Sequence, residues 1–154
     1  MRLYLVRHGQ AQPKEVDAER GLTPAGKADV RRMAEHLRRL DLSVASVWHS
    51  EKKRARQTAE LLAAAIKVDR GLQEREDLTP NAAVDPVAEE LSRLDEDLMI
   101  VGHMPFQSLL AGLLLTGGRE DDLLSFATAA VACLQSDADG AWRLLWMVEP
   151  DLVG

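Results

Sequence analysis

An α/β sandwich built on a mixed sheet is the fold class this sequence predicts, and three observations carry it. Short apolar runs of strand length, Leu3–Val6, Val44–Trp48 and Leu98–Val101, alternate with longer stretches whose apolar residues recur on one side of a helix. The last third breaks that alternation with two more strand-like runs, Ala129–Leu134 and Trp142–Val148, around the turn signal Asp137-Ala138-Asp139-Gly140, so the sheet is mixed. The chain has 154 residues and is 46% hydrophobic, which is enough to bury one real core, and residues 1–154 are read as one domain.

The elements follow in order. Leu3–Val6 stops at Arg7-His8-Gly9, where glycine permits a sharp turn, and the polar stretch Gln10–Gly21 reads as a loop. Thr23-Pro24 supplies a capping hydroxyl and a proline at the first helical position. The helix that begins there buries Val30, Met33, Ala34, Leu37 and Leu40, turns Arg31, Arg32, Glu35, Arg38 and Arg39 to water, and ends near Asp41. After the Val44–Trp48 strand, Ser50 is a candidate cap for a helix carrying Ala55, Ala59, Leu62, Ala63 and Ile66 on its inner face. Val87, Leu91 and Leu94 mark a third helix. Leu98–Val101 leads into Gly102-His103-Met104-Pro105 and a fourth helix reaching Leu115. Leu22-Thr23-Pro24 recurs as Leu78-Thr79-Pro80, but the flanks differ and no period continues, so it is not a repeat.

A net charge of −6 argues against broad attraction to nucleic acid or an anionic membrane surface. No run approaches the roughly 18 apolar residues of a membrane span, and Met1–Val6 lacks the basic start of a leader. The single cysteine, Cys133, lies in an apolar run; it forms no intrachain disulfide and reads as buried filler in a reducing, cytoplasmic setting. An acidic one-domain chain is compatible with a monomer. No cluster of Cys, His and carboxylates has ligand spacing, so neither a metal nor a cofactor is expected.

Chemistry in an open α/β sheet gathers outside the carboxyl ends of the strands. Three strand ends deliver Arg7 and His8, then His49 and the Arg54 region, then His103. A neutral imidazole can attack phosphorus, and a phosphohistidine intermediate divides one hard transfer into two easier ones. The transferring group spreads negative charge over three oxygens, which planar arginine donors match well. This assigns His8 as nucleophile, Arg7 and Arg54 as phosphate ligands, a protonated His103 as a third positive partner, and the Met104 N–H as a donor at a helix start. Arg54 is preferred to Arg56 because Arg56 stands four residues before Glu60 on a solvated face.

These residues resemble the histidine phosphatase superfamily, within it the SixA-like phosphohistidine phosphatases. Arg7-His8-Gly9 resembles the family's Arg-His-Gly signature, and Leu22-Thr23 with Gly26, next to Arg20, its Leu-Thr-x-x-Gly element. Ser50, Arg54-Ala55 and Gln57-Thr58 resemble Ser-x-x-x-Arg-Ala-x-Gln-Thr, and Leu78-Thr79-Pro80 and Gly102-His103 complete the order. One tripeptide would be weak evidence; five elements in order, over roughly residues 1–148, are far more specific. The resemblance implies a three-layer αβα fold of the phosphoglycerate mutase type with a mostly parallel sheet. It also implies a phosphorylated His8, a pocket of Arg7, Arg54 and His103, and no metal. Arg20 and Thr79 are candidates for a substrate loop, and Gly9, His49 and Ser50 are candidates for supporting the pocket from behind.

Other polar and aromatic residues have plainer readings. His36 belongs to a helix surface beside Glu35, and His49 favours a structural role over reaching phosphate. Lys52 and Lys53 solvate a helix start, an unfavourable place for cations, and their charge would attract an acidic partner. Trp142, Leu144 and Trp146 alternate on one strand face toward the core, and Glu120-Asp121-Asp122 reads as a solvated loop.

Superfamily members acting on sugar phosphates carry a glutamate acid and longer covering insertions. Here Glu74, Glu76 and Asp77 lie in the corresponding stretch and none is assigned as the acid. Imidazole leaves more readily than an alkoxide, and a chain this short leaves the site open to a protein loop. The substrate expected is therefore a phosphorylated protein, such as a histidine phosphotransfer domain or a phosphocarrier protein, with inorganic phosphate released. A small-molecule phosphomonoesterase using Glu74 or Asp77 is the alternative enzyme. A non-catalytic phosphate-binding module is the alternative of another class, and the intact His8 argues against it.

Overall fold

A computed structural model describes residues 1–118 and 123–154; the acidic run Glu120-Asp121-Asp122 lies outside the described residues. The strands are β1 (Arg2–Arg7), β2 (Ser43–Val44), β3 (Ser46–Ser50), β4 (Lys67–Val68), β5 (Leu72–Arg75), β6 (Leu98–Gly102), β7 (Val131–Ser136) and β8 (Trp142–Val148). The helices are α1 (Pro24–Arg39), α2 (Lys53–Ala63), α3 (Asp85–Ser92) and α4 (Phe106–Thr116). Six strands form one sheet in the order β5-β3-β6-β1-β7-β8, and β2 and β4 pair separately. Neighbours from β5 to β1 are parallel, and β7 is antiparallel to both β1 and β8.

Both faces of the sheet are covered, which gives the three-layer sandwich. In β1, Tyr4 and Val6 pack beneath Val30, Met33 and Leu37 of α1 and Ala55, Ala59 and Leu62 of α2. Leu3 and Leu5 face the other way, toward Val87 and Leu91 of α3 and Phe106 and Leu110 of α4. A strand buried on both faces must be apolar throughout, which is why β1 and β6 read as continuous apolar runs. Cys133 is a free, fully buried thiol in the α1/α2 layer.

Several elements depart from the sequence expectations, each for a local reason. Leu40 is 50% exposed because α1 ends at Arg39 and Asp41 turns the chain at φ 52°. Helix α2 spans Lys53–Ala63, with Lys52 at its cap position making no side-chain capping bond; Ser50 still belongs to β3 and is not the cap. Strand β7 starts at Val131 because Ala129, at φ 62°, donates its N–H to the carbonyls of Arg7 and His8 (both 3.1 Å). A bulge in β8 ends the expected alternation: Cys133 pairs with Trp146 and Leu134 with Leu144, leaving Leu145 extra. Trp142 accordingly packs on the α3/α4 layer and Trp146 on the α1/α2 layer, while Leu144 is 40% exposed. Strand β5 escaped the sequence reading because it is a polar edge strand.

Candidate active site

Strand register brings the two histidines together. Parallel pairing of β1 with β6 sets Arg7 opposite Gly102, so the residues that follow, His8 and His103, leave the sheet side by side. The His8 N–H donates to the Gly102 carbonyl (2.9 Å), and the rings lie with centroids 5.0 Å apart. The His8 Nδ1 is 2.6 Å from the Gly9 carbonyl. A carbonyl only accepts, so Nδ1 carries the proton and Nε2 keeps its lone pair.

Serine 50 orders the second ring. Its Oγ lies 2.5 Å from His103 Nε2 and accepts the Lys52 N–H at 3.3 Å. A serine hydroxyl has one proton and two lone pairs, so it can hold Nε2 in either tautomer; when it donates to Nε2, the imidazole hydrogen sits on Nδ1. That Nδ1 is buried without a protein partner, as are Arg7 Nε and Arg54 Nε; the fourth such side-chain atom among the described residues is Gln107 Oε1. A buried polar atom left unbonded costs about 1–3 kcal/mol, so three of them gathered around two histidines mark the place where the fold gives up stability.

Each element of the sequence pattern has a structural task. Thr58 Oγ1 accepts the Gly9 N–H (3.0 Å) and donates to the Arg54 carbonyl (2.8 Å), tying the turn after β1 to the first turn of α2. Gln57 Oε1 accepts the Leu22 N–H (2.7 Å), and Thr23 caps α1 by accepting the Gly26 N–H (2.8 Å). Gly26 must lack a side chain: a Cβ there would sit 2.2 Å from the Gln10 carbonyl oxygen. Arg7 is aimed by its Nη1 bond to the Phe126 carbonyl (2.7 Å).

Electrostatics keep both rings neutral. Burial, then the charges of Arg54, Arg7 and Arg20, push the His8 pKa down to about 4, against the opposing pull of the Gly9 carbonyl. Burial, His8, Arg54, Lys52 and Arg20 push His103 down to about 3. The protonated His103 expected from sequence is thus corrected: in a crowd of arginines the buried ring is neutral and contributes an N–H rather than a charge. Burial and Arg20 also lower the Arg54 pKa.

The structure brings Arg7, His8, Gly9, Ser50, Arg54 and His103 together, with Arg20 acting on both rings from a left-handed turn at φ 53°. Thr79 follows Leu78, whose carbonyl would lie 3.5 Å from a Cβ on Gly102. Met104 lies two residues before α4, with Pro105 at the cap; helical bonding starts with the Gln107 N–H to the His103 carbonyl (2.9 Å), so the Met104 N–H has no helical acceptor. His49 is not part of the group: it is buried, its Nδ1 is tied to the Ser50 carbonyl (2.8 Å), and alternation turns it to the opposite face from Ser50. Arg56 pairs with Glu60 on the surface. Asp77 is engaged by Arg75, which also holds Glu90 and stacks on Trp48 at 4.0 Å, and Glu74 and Glu76 are exposed.

Sequence reasoning missed Gln107, fully buried, whose Nε2 donates to the carbonyls of Val6 (2.7 Å) and Ile100 (3.0 Å) and so fixes the start of α4 against β1 and β6. An amide inside the apolar Phe106–Thr116 helix was its only signal.

Paired histidines and arginines at the carboxyl edge of a covered, mostly parallel sheet define a phosphate-handling enzyme of the α/β class. The family model of the histidine phosphatase superfamily (branch 1) matches residues 3–78. The phosphohistidine phosphatase SixA of Escherichia coli (strain K12) is 26% identical over 155 residues, covering 97% of this chain and 94% of that protein. An uncharacterized protein of Picosynechococcus sp. is 35% identical over 112 residues, 68% of this chain and 67% of its own. The solved structure of the protein histidine phosphatase SixA complexed with tungstate matches with a TM-score of 0.87 at 26% identity over 99% of both chains. The chain belongs to the histidine phosphatase superfamily, and it is a hydrolase of that superfamily.

Proposed function

We propose that this phosphatase removes phosphate from phosphohistidine on a protein. The observation that carries the reading is the make-up of the site: two neutral imidazoles 5.0 Å apart among arginines, with the candidate acid Asp77 committed to Arg75. A sugar-phosphate substrate needs an acid to protonate an alkoxide, whereas a phosphohistidine releases the better leaving group. The SixA structure that this chain resembles holds tungstate, an oxyanion of phosphate's shape and charge.

The chemistry follows in two steps. The His8 Nε2 lone pair attacks phosphorus; the P–N bond to the substrate imidazole breaks, and the departing nitrogen takes a proton from water. Water then attacks phospho-His8, its proton returning to the site, and inorganic phosphate leaves with His8 restored. Arg7, Arg54 and the Met104 N–H bear the charge on the equatorial oxygens. The remaining features of the reading are one domain acting in the cytoplasm as a monomer, in histidine-based phosphorelay signalling. The buried lone thiol of Cys133 supports a reducing setting.

The test is to offer the protein a phosphohistidine-bearing protein and a panel of sugar phosphates, measure phosphate release and weigh the enzyme for retained phosphate. The expected result is turnover of phosphohistidine, a phosphate mass increment on the parent and none on His8→Ala. Equal turnover by His8→Ala would remove the nucleophile assignment, and turnover of sugar phosphates alone would establish the phosphomonoesterase instead.

A further inference from the structure

Beside the paired histidines lies a basin of about 780 Å³. Arg20 and Arg54 belong to both places: they line the basin, and their charges act on His8 and His103. We infer that this basin docks an acidic segment flanking the phosphohistidine of the substrate protein, a reading that rests on the function proposed above.

Charge is the first argument. Lys14, Arg20, Lys52, Lys53, Arg54 and Arg56 line the basin against Glu15, Glu19 and Glu51, a local surplus of three positive charges in a chain of net charge −6. An acidic partner is repelled by the molecule as a whole and drawn to this face, which steers its phosphate toward Arg54. Part of the surplus is uncommitted. Lys53 pairs with Asp17 (3.8 Å) and Glu19 (3.4 Å) and Arg56 with Glu60, whereas Lys14 and Lys52 have no ion-pair partner among the described residues.

Stability does not explain these cations. Helix α2 opens with Lys52, Lys53 and Arg54 and has no acid in its first turn, although the positive end of the helix dipole disfavours cations there. An anionic partner turns that arrangement from a cost into an attraction.

The basin wall is also built in advance. Pro13 C=O accepts the N–H groups of Val16 and Asp17 (both 3.0 Å), and the Asp17 carboxylate accepts those of Glu19 (3.1 Å) and Gly21 (2.8 Å). Arg20 Nε donates to the Gln12 carbonyl (3.1 Å). A loop ordered before binding loses little entropy when the partner arrives. The same loop carries Val16 at 70% exposure, an apolar contact at the rim. A volume of this size takes several residues, far more than one phosphate needs.

The experiment uses two synthetic peptides phosphorylated on a single histidine, one flanked by Asp and Glu and the other by Lys, with kcat/KM measured at about 20 mM and about 0.5 M salt. For the parent, the acidic peptide is preferred by about tenfold or more at low salt, and the preference shrinks at high salt. In the double variant Lys14→Glu with Arg56→Glu, both side chains being exposed, the acidic-to-basic ratio falls about tenfold. Equal use of both peptides at low salt, or a ratio that the double variant leaves unchanged, overturns the docking inference while the phosphohistidine reading stands. Failure to hydrolyse either peptide while sugar phosphates turn over overturns the functional reading itself, and this inference with it.

Discussion

Removing one hydroxyl, in Thr58→Val, tests whether the site is held together as the geometry indicates. Thr58 is fully buried, and its Oγ1 is the sole link described between the Gly9 N–H and the backbone of Arg54. Valine keeps the shape and loses both bonds. The Gly9 N–H is then buried without an acceptor, at about 1–3 kcal/mol, and the lost bond to the Arg54 carbonyl adds about 0.5–1 kcal/mol. The expected destabilisation is about 2–4 kcal/mol, or roughly 5–12 °C in Tm for a chain of this length. Because the turn carrying His8 and the helix carrying Arg54 lose their common tie, kcat should fall about tenfold to a hundredfold. Thr58→Ser keeps the hydroxyl and should retain kcat, losing only about 1 kcal/mol for the missing methyl. Denaturant melts and phosphate release on the three proteins provide the comparison. A valine variant as stable and active as the parent, or valine and serine variants with equal kcat, would refute the reasoning.

Neutral histidines predict an unusual acid limb. With His8 near 4, kcat/KM should hold between pH 7 and 5.5, where an ordinary imidazole of pKa about 6.5 would already have lost roughly tenfold; a fall of that size would show that His8 titrates normally. Both folded pKa values lie below the unfolded value, so the unfolded chain binds more protons in this window. Stability is complete well above about pH 6.5 and declines as pH falls toward 4, by about 3 kcal/mol for His8 alone and up to about 6 kcal/mol for the two rings together; denaturant midpoints measured with and without phosphate check this, and phosphate should protect. Gly26→Ala drives a Cβ against the Gln10 carbonyl and should cost about 3 kcal/mol or more, whereas a similar change at Gly71, where no atom lies within 4 Å, should cost only about 1–2 kcal/mol of backbone strain at φ 82°. Ser50→Ala removes the hydroxyl that holds His103 Nε2 and should lower kcat about tenfold or more with little change in KM; an unchanged kcat would show that the Ser50 bond does not order the ring.

How much of this was legible beforehand depended on burial. Strands β1 and β6 announce themselves because a strand covered on both faces cannot afford polar residues, and α1 does so through Thr23, Pro24 and its one-sided apolar row. Strand β5 could not be read, since Leu72–Arg75 is an edge held by backbone bonds that leave little mark on side-chain choice. Ser50 shows how a local rule can point to the wrong partner. A serine before a helix is normally a cap, yet its hydroxyl is spent on a histidine 53 residues away.

The sequence by itself determined the α/β class, the candidate reacting side chains and the motifs around them, because those depend on residue type and short-range period. The tertiary structure decided the rest. The Arg7–Gly102 register set His8 beside His103, the β8 bulge sent Trp142 and Trp146 to opposite faces, and burial, together with the charges of Arg54 and Arg20, lowered the pKa of both rings. Register, bulges and buried electrostatics arise between segments far apart in the chain, so no local pattern of residues encodes them.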